Sequence, residues 1–96
     1  MWSRFLGHFT KQLGIDLGTH KTLIYEKGKG IIINEPSVVA VNRRTGQIIA
    51  VGDKALSMVG KTPAHIQVTK PLQRGIIADF EVTEKMLSYF FERVHE

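Results

Sequence analysis

The spacing of the apolar residues changes along this chain, and that change limits the folds open to it. Between Leu13 and Ile33, short segments of alternating or β-branched apolar residues are separated by breaks that contain glycine. Such segments indicate β-strands joined by tight turns, so three successive antiparallel strands are expected. After Thr83 the apolar residues recur at helical spacing instead: Met86, Leu87, Phe90, Phe91 and Val94. The sequence therefore predicts an α/β fold that ends in a helix packed on the three-stranded sheet.

Turn residues divide the middle of the chain into further short elements. Pro36 cannot donate a ladder hydrogen bond, so a strand is expected to end between Asn34 and Ser37. Three more strands are expected, over residues 38–41, 48–51 and 66–69, with turns at Thr45-Gly46 and at Gln73-Arg74-Gly75.

Helix-end signals predict two helices. Asp53 is a suitable N-cap for a short helix that Gly60 would end, and Thr83 is a suitable N-cap for the last helix. Glu81 precedes Lys85 by four residues, which places these opposite charges on one helix face.

The composition is that of a folded domain, and it excludes several functional classes. Of the 96 residues, 43% are apolar and 23% are charged, as in an ordinary globular domain with a packed core. The absence of cysteine excludes disulfides, thiolate metal sites and thiol nucleophiles. The net charge is +4, but the basic residues are dispersed, so no nucleic-acid partner is expected. No apolar run approaches the roughly 18 residues of a membrane span and no signal peptide is recognisable, so a chain neither exported nor transmembrane is expected.

The apolar and polar pattern of residues 1–11 predicts a short amphipathic helix. One face carries four apolar residues at helical spacing: Trp2, Phe5, Leu6 and Phe9. The opposite face includes Arg4 and Lys11 and has no acidic residue. Bulky apolar groups on one side and cations on the other suit a bilayer surface with anionic lipids. A helix docked on its own domain is the alternative, and we favour the membrane-binding segment.

The segment from Ile15 to Thr19, Ile-Asp-Leu-Gly-Thr, carries the candidate chemistry. A strand that ends in a carboxylate and leads directly into a glycine turn with a hydroxyl residue can place backbone N–H groups around phosphate oxygens. Asp16 would then be close enough to order Mg²⁺ through water, because Mg²⁺ gives up its hydration shell reluctantly. An ordinary hairpin that happens to contain Asp and Gly is the alternative, and the five residues alone do not decide between the two.

Two other glycine motifs do not fit nucleotide binding. Gly60-Lys61-Thr62 imitates the end of a P-loop, but Ala55 stands where that motif requires glycine. Gly28 and Gly30 lack the third glycine of a dinucleotide fingerprint and lead into a strand. The four histidines show no metal-ligand spacing.

The phosphate-loop candidate resembles the first phosphate loop of the actin, heat-shock chaperone and sugar-kinase superfamily. The rest of the chain resembles, in order and spacing, the MreB family of bacterial actin-like proteins. The blocks that carry the resemblance run through the chain: Gly14 to Thr19, Thr22 to Tyr25, Gly28 to Ile31, Asn34 to Ala40, Ala50 to Gly52, Gly60 to Pro63 and Gly75 to Phe80.

This resemblance implies an incomplete actin-like, ribonuclease H-like lobe over residues 12–96, with a small peripheral α+β subdomain at about residues 37–70. It implies ATP and Mg as cofactors, with Gly18, Thr19, His20 and Lys21 at the nucleotide phosphates and Asp16 at the metal. His20 and Lys21 depart from the family pattern, which usually has a small residue and then Asn. Lys21 either adds a cation for the phosphates or crowds a loop built for backbone contacts.

The resemblance also implies what the protein does. Members of the family are weak ATPases that polymerise into filaments at the inner face of the cell membrane and direct wall synthesis to maintain rod shape. The expected partners are further copies of the chain, an anionic membrane surface and proteins of cell elongation, and the expected location is cytoplasmic and peripheral to the membrane. The chain alone, with one phosphate loop, is expected to be inactive as an ATPase. Two alternatives stay open at this point: an ATPase lobe of a heat-shock chaperone or sugar kinase, and a self-standing β-rich binding module.

Overall fold

The computed structural model describes residues 12–95, so the amphipathic helix predicted for residues 1–11 lies outside the described residues. The described elements follow this order: β1 (Leu13–Leu17), β2 (Lys21–Glu26), β3 (Gly30–Pro36), β4 (Val39–Asn42), β5 (Ile48–Val51), α1 (Asp53–Leu56), β6 (Ile66–Thr69), β7 (Leu72–Gln73), β8 (Ile76–Ile77) and α2 (Phe80–Val94).

The first sheet contains β1, β2 and β3, with β2 in the middle and both pairings antiparallel. Its register sets Ile15 opposite Ile24, and Ile24 opposite Ile33. Ile24 and Ile33 are buried, whereas Ile15 on the edge strand β1 is exposed. The three successive antiparallel strands predicted from the alternating segments are therefore confirmed.

The second sheet contains β5, β4 and β6, with β4 in the middle. Alternate residues of a strand face opposite sides, and β4 is buried on both sides. Val39 and Val41 belong to the main core under α2, whereas Ala40 packs in a smaller cluster with Ala50 and Ala55. The strands predicted for this part of the chain are confirmed, and β4 begins at Val39, one residue later than expected.

Helix α2 covers the main core. Met86, Leu87 and Phe90 are fully buried and Phe91 is nearly so, as the helical spacing predicted. They pack against apolar side chains from both sheets and from β7: Ile24, Ile33, Val39, Val41, Val51 and Leu72. Each large apolar side chain buried in this way contributes about 1.5–3 kcal/mol relative to an exposed one.

Within residues 12–95, neither helix is long and apolar enough to span a bilayer.

The start of α2 differs from the prediction. Asp79, not Thr83, is the N-cap, because its carboxylate accepts the Val82 N–H at 3.0 Å. Thr83 is buried in the first turn, where its hydroxyl donates to the carbonyl of Asp79 at 2.7 Å. Thr83 as the cap was therefore wrong. The predicted pair of Glu81 and Lys85 is confirmed, with 3.3 Å between the charged groups.

Helix α1 also differs from the prediction. Asp53 is its first residue, the cap position is Gly52 with a φ of 71°, and no side chain of the helix caps it. The Asp53 N–H instead donates at 3.1 Å to the carboxylate of Glu35, which comes from β3 and also pairs with Arg93 of α2. The helix ends at Leu56 and turns continue to Gly60, so a cap at Asp53 and an end at Gly60 were both wrong.

Candidate phosphate-binding site

The turn between β1 and β2 contains the residues predicted to bind phosphate. The two strands approach so closely there that the Gly18 N–H donates to the Lys21 carbonyl at 2.9 Å. A Cβ atom at Gly18 would lie 3.1 Å from that carbonyl oxygen, which is closer than side chains normally tolerate. The absence of a Cβ atom at Gly18 thus eases closure of the turn, a role that sequence reasoning missed.

The pairing at this turn is only half formed. Residues that face each other in an antiparallel pair can exchange two hydrogen bonds, one in each direction. The return bond from the Lys21 N–H to the Gly18 carbonyl is absent, and that carbonyl accepts from the Ser37 hydroxyl at 2.7 Å instead. Among residues 12–95, the N–H groups of Thr19 and His20 also have no acceptor. Successive unpaired amides form a concavity of the kind that binds anions.

Ser37 and Thr22 lie on the buried side of the turn, and both are 0% exposed. The Ser37 N–H donates to the His20 carbonyl at 3.0 Å, and the two hydroxyl oxygens are 2.8 Å apart. A hydroxyl group has one hydrogen, and that of Ser37 goes to Gly18, so Thr22 must donate to Ser37. Sequence reasoning missed Ser37, whose only signal was a hydroxyl residue at the end of an apolar strand.

Thr19 connects the turn to the hairpin of β7 and β8. Its hydroxyl oxygen accepts the Gly75 N–H at 2.5 Å. Arg74 and Gly75 have φ angles of 56° and 74°, which suit a two-residue hairpin turn and confirm the turn predicted there. Because the hydroxyl of Thr19 is the acceptor in this bond, its own hydrogen is available to a phosphate oxygen. Thr19 can therefore offer both an N–H and an O–H group to one anion.

His20 and Lys21 are exposed and line a cleft of about 260 Å³ together with residues from β3 and α1. The cleft also contains the carboxylates of Glu35 and Asp53, so its charge is mixed. Lys21 supplies a cation beside the turn.

Asp16 lies on β1 opposite Leu23, and its side chain is exposed. It stands two residues before Gly18, a spacing that puts both positions on the same face of an extended strand. No group of three or more metal-binding side chains exists within residues 12–95. A single accessible carboxylate fits Mg²⁺, which retains several waters and takes further ligands from phosphates.

Comparison with known proteins decides the family. A family profile described as MreB/Mbl protein matches residues 10–96. The chain belongs to the MreB/Mbl family. It is 57% identical over 86 residues to the cell shape-determining protein Mbl of Bacillus cereus, and 52% identical over 99 residues to the cell shape-determining protein MreB of Escherichia coli. These matches cover 90% and 99% of this chain but 26% and 28% of the relatives, so the chain spans about a quarter of their length.

Two solved structures of MreB5 from Spiroplasma citri, one bound to ADP and one to AMPPNP, share the fold. Both give a TM-score of 0.78, at 42% and 43% identity. They align with 86% and 84% of this chain, which correspond to 25% and 24% of the MreB5 chains. The predicted actin-like fold class and the MreB resemblance are therefore confirmed. The family match decides against a heat-shock chaperone or a sugar kinase.

Proposed function

We propose that this chain forms part of the nucleotide-binding lobe of a bacterial actin-like protein. In this proposal the protein binds ATP with Mg²⁺, assembles into filaments at the inner face of the cell membrane and directs wall synthesis to maintain rod shape. The observation that carries the nucleotide part is the pair of unpaired amides at Thr19 and His20, beside the free hydrogen of the Thr19 hydroxyl. The MreB5 neighbours, which were solved with ADP and AMPPNP, support the same ligand class.

Each residue of the turn has a distinct part in the proposal. The amides of Thr19 and His20 and the hydroxyl of Thr19 donate to phosphate oxygens, and Lys21 adds a cation. Asp16 holds the hydration shell of Mg²⁺, which neutralises phosphate charge when it is bound. Hydrolysis also needs a positioned water and charge stabilisation from several sides. We therefore expect this chain alone to bind phosphate groups weakly and not to hydrolyse ATP.

Nuclear magnetic resonance of the ¹⁵N-labelled chain, titrated with Mg-AMPPNP, tests the nucleotide proposal. The amide signals of Thr19, His20 and Lys21 should shift, whereas adenosine, which has no phosphates, should leave them in place. Asp16→Asn should reduce the difference between titrations with Mg²⁺ and with EDTA, because the neutral amide holds the hydrated cation less strongly. Equal shifts with adenosine, or shifts confined to other residues, would contradict the assignment.

The membrane part of the proposal rests on the sequence pattern of residues 1–11. Trp2 is the single tryptophan of the chain, so its fluorescence reports on this segment directly. Vesicles that contain anionic phosphatidylglycerol should blue-shift the emission, and Leu6→Gln should weaken the effect by removing part of the apolar face. His8→Gln is the matched control, because it places the same side chain on the polar face. An unshifted spectrum, or equal losses in the two variants, would count against membrane binding.

The filament, wall-synthesis and cell-shape parts rest on membership of the MreB/Mbl family and on the names of the relatives. Removal of the protein from the cells that make it should turn rods into rounded cells. Unchanged rods would argue against a role in cell shape.

A further inference from the structure

Ser37 contacts the phosphate-binding turn through two donors at once. Its hydroxyl donates to the Gly18 carbonyl at 2.7 Å, and its N–H donates to the His20 carbonyl at 3.0 Å. These two carbonyls flank Thr19 in the sequence. Both bonds therefore fix peptide groups of the turn, although Ser37 itself is fully buried and cannot reach a ligand.

Because the peptide bond is planar, these two contacts also set the directions of the N–H groups that follow the two carbonyls. In a trans peptide the carbonyl of one residue and the N–H of the next point in opposite directions, and no cis bond is present within residues 12–95. Because the Gly18 carbonyl points inward to Ser37, the Thr19 N–H points outward. The His20 carbonyl fixes the Lys21 N–H in the same way. We infer that Ser37 is a positioning residue that aims the Thr19 amide at the phosphate and sets the direction of the Lys21 amide beside it, a role that rests on the proposed nucleotide function.

The hydroxyl of Ser37 also keeps the Gly18 carbonyl from pairing with the Lys21 N–H. Without that donor, the Gly18 carbonyl is free to accept the Lys21 N–H and complete the ordinary hairpin pair. Glycine has no side chain to resist the rotation of the peptide that this change requires. The completed pair would use the Lys21 amide internally and turn the Thr19 amide away from the ligand.

Thr22 provides a matched control for this role. It donates to the Ser37 hydroxyl, which in turn donates to Gly18, so the three groups form a short chain of hydrogen bonds. Thr22→Val removes one buried hydrogen bond but leaves the bond from Ser37 to Gly18 in place. Ser37→Ala removes the bond to Gly18 as well. Ser37→Ala should therefore lose more stability than Thr22→Val, and it alone should weaken phosphate binding markedly.

Titration of the ¹⁵N-labelled chain with sodium tripolyphosphate, followed through the amide signals of residues 18–21, tests the inference. Ser37→Ala should bind about tenfold more weakly than the wild type, as expected when one hydrogen bond to a charged ligand is misdirected. Thr22→Val should stay within about twofold of the wild type. The exchange of the Lys21 amide should slow in Ser37→Ala alone, because that amide gains the Gly18 carbonyl as its acceptor.

The outcomes separate the two proposals. If the folded wild-type chain shows no response to tripolyphosphate, the proposed phosphate site itself is wrong. If the wild type responds and the two variants bind equally, the site stands but Ser37 does not position it. Weakening of each variant in proportion to its own loss of stability would likewise assign Ser37 a purely structural role.

Discussion

Replacement of Phe90 by alanine should remove a large part of the stability of this fold. Phe90 is 0% exposed in the C-terminal half of α2 and contacts the core formed by both sheets. Phe→Ala changes at such positions cost about 3–5 kcal/mol, because the lost transfer free energy is added to the cost of the cavity. A domain of this size is stabilised by about 5–15 kcal/mol in total. The variant should therefore melt roughly 12–40 °C lower than the wild type, at about 4–8 °C per kcal/mol.

Phe80 is the matched control, because it is the first residue of the same helix and 59% exposed. Phe80→Ala should cost less than about 1 kcal/mol, since it opens no cavity. Urea unfolding followed by far-ultraviolet circular dichroism gives both values from the transition midpoints. Equal losses in the two variants, or a loss below about 1 kcal/mol for Phe90→Ala, would refute the packing of α2 on the sheets.

Two further changes test the connections around the helices by the same urea assay. Gly52→Ala places a side chain at a φ of 71° and drives it into the carboxylate of Glu35, so it should cost about 2–4 kcal/mol of stability. The control Gly46→Ala, at a φ of 75° in open space, should cost about 1 kcal/mol. Similar losses in the two variants would contradict the role of Glu35. Asp79→Ala should cost about 1 kcal/mol through loss of the N-cap, and Asp79→Asn should retain most of the stability; an equally costly Asn would show that capping is not the cause.

The sequence predicted most of the fold because periodicity and turn residues act locally. The segments between Leu13 and Ile33 place their apolar residues on one face only if they form strands. The apolar residues of α2 share one face only if they form a helix. Helix starts were harder to predict, because Asp79 and Thr83 are both good caps within one turn of each other. Asp53 was misassigned for another reason: the carboxylate that accepts its N–H belongs to Glu35, eighteen residues earlier in the chain.

The position of the turn at the candidate site was predictable from the sequence, but its geometry was not. The Asp-Leu-Gly-Thr segment at residues 16–19 indicated a phosphate turn, and the structure places it in a tight hairpin. The bonds that shape this hairpin come from Ser37 and Gly75, which lie 19 and 56 residues away from their partners. Contacts over such separations depend on how the elements pack, so local sequence patterns carry no signal for them.

Hydrogen exchange at the turn tests the central claim most directly. In the free chain the amides of Thr19 and His20 should exchange rapidly, whereas the Gly18 amide, which donates to Lys21, should exchange slowly. Excess Mg-AMPPNP should slow exchange at Thr19 and His20 and leave Gly18 nearly unchanged. Slow exchange at Thr19 and His20 without ligand, or no change when the nucleotide is added, would contradict the account.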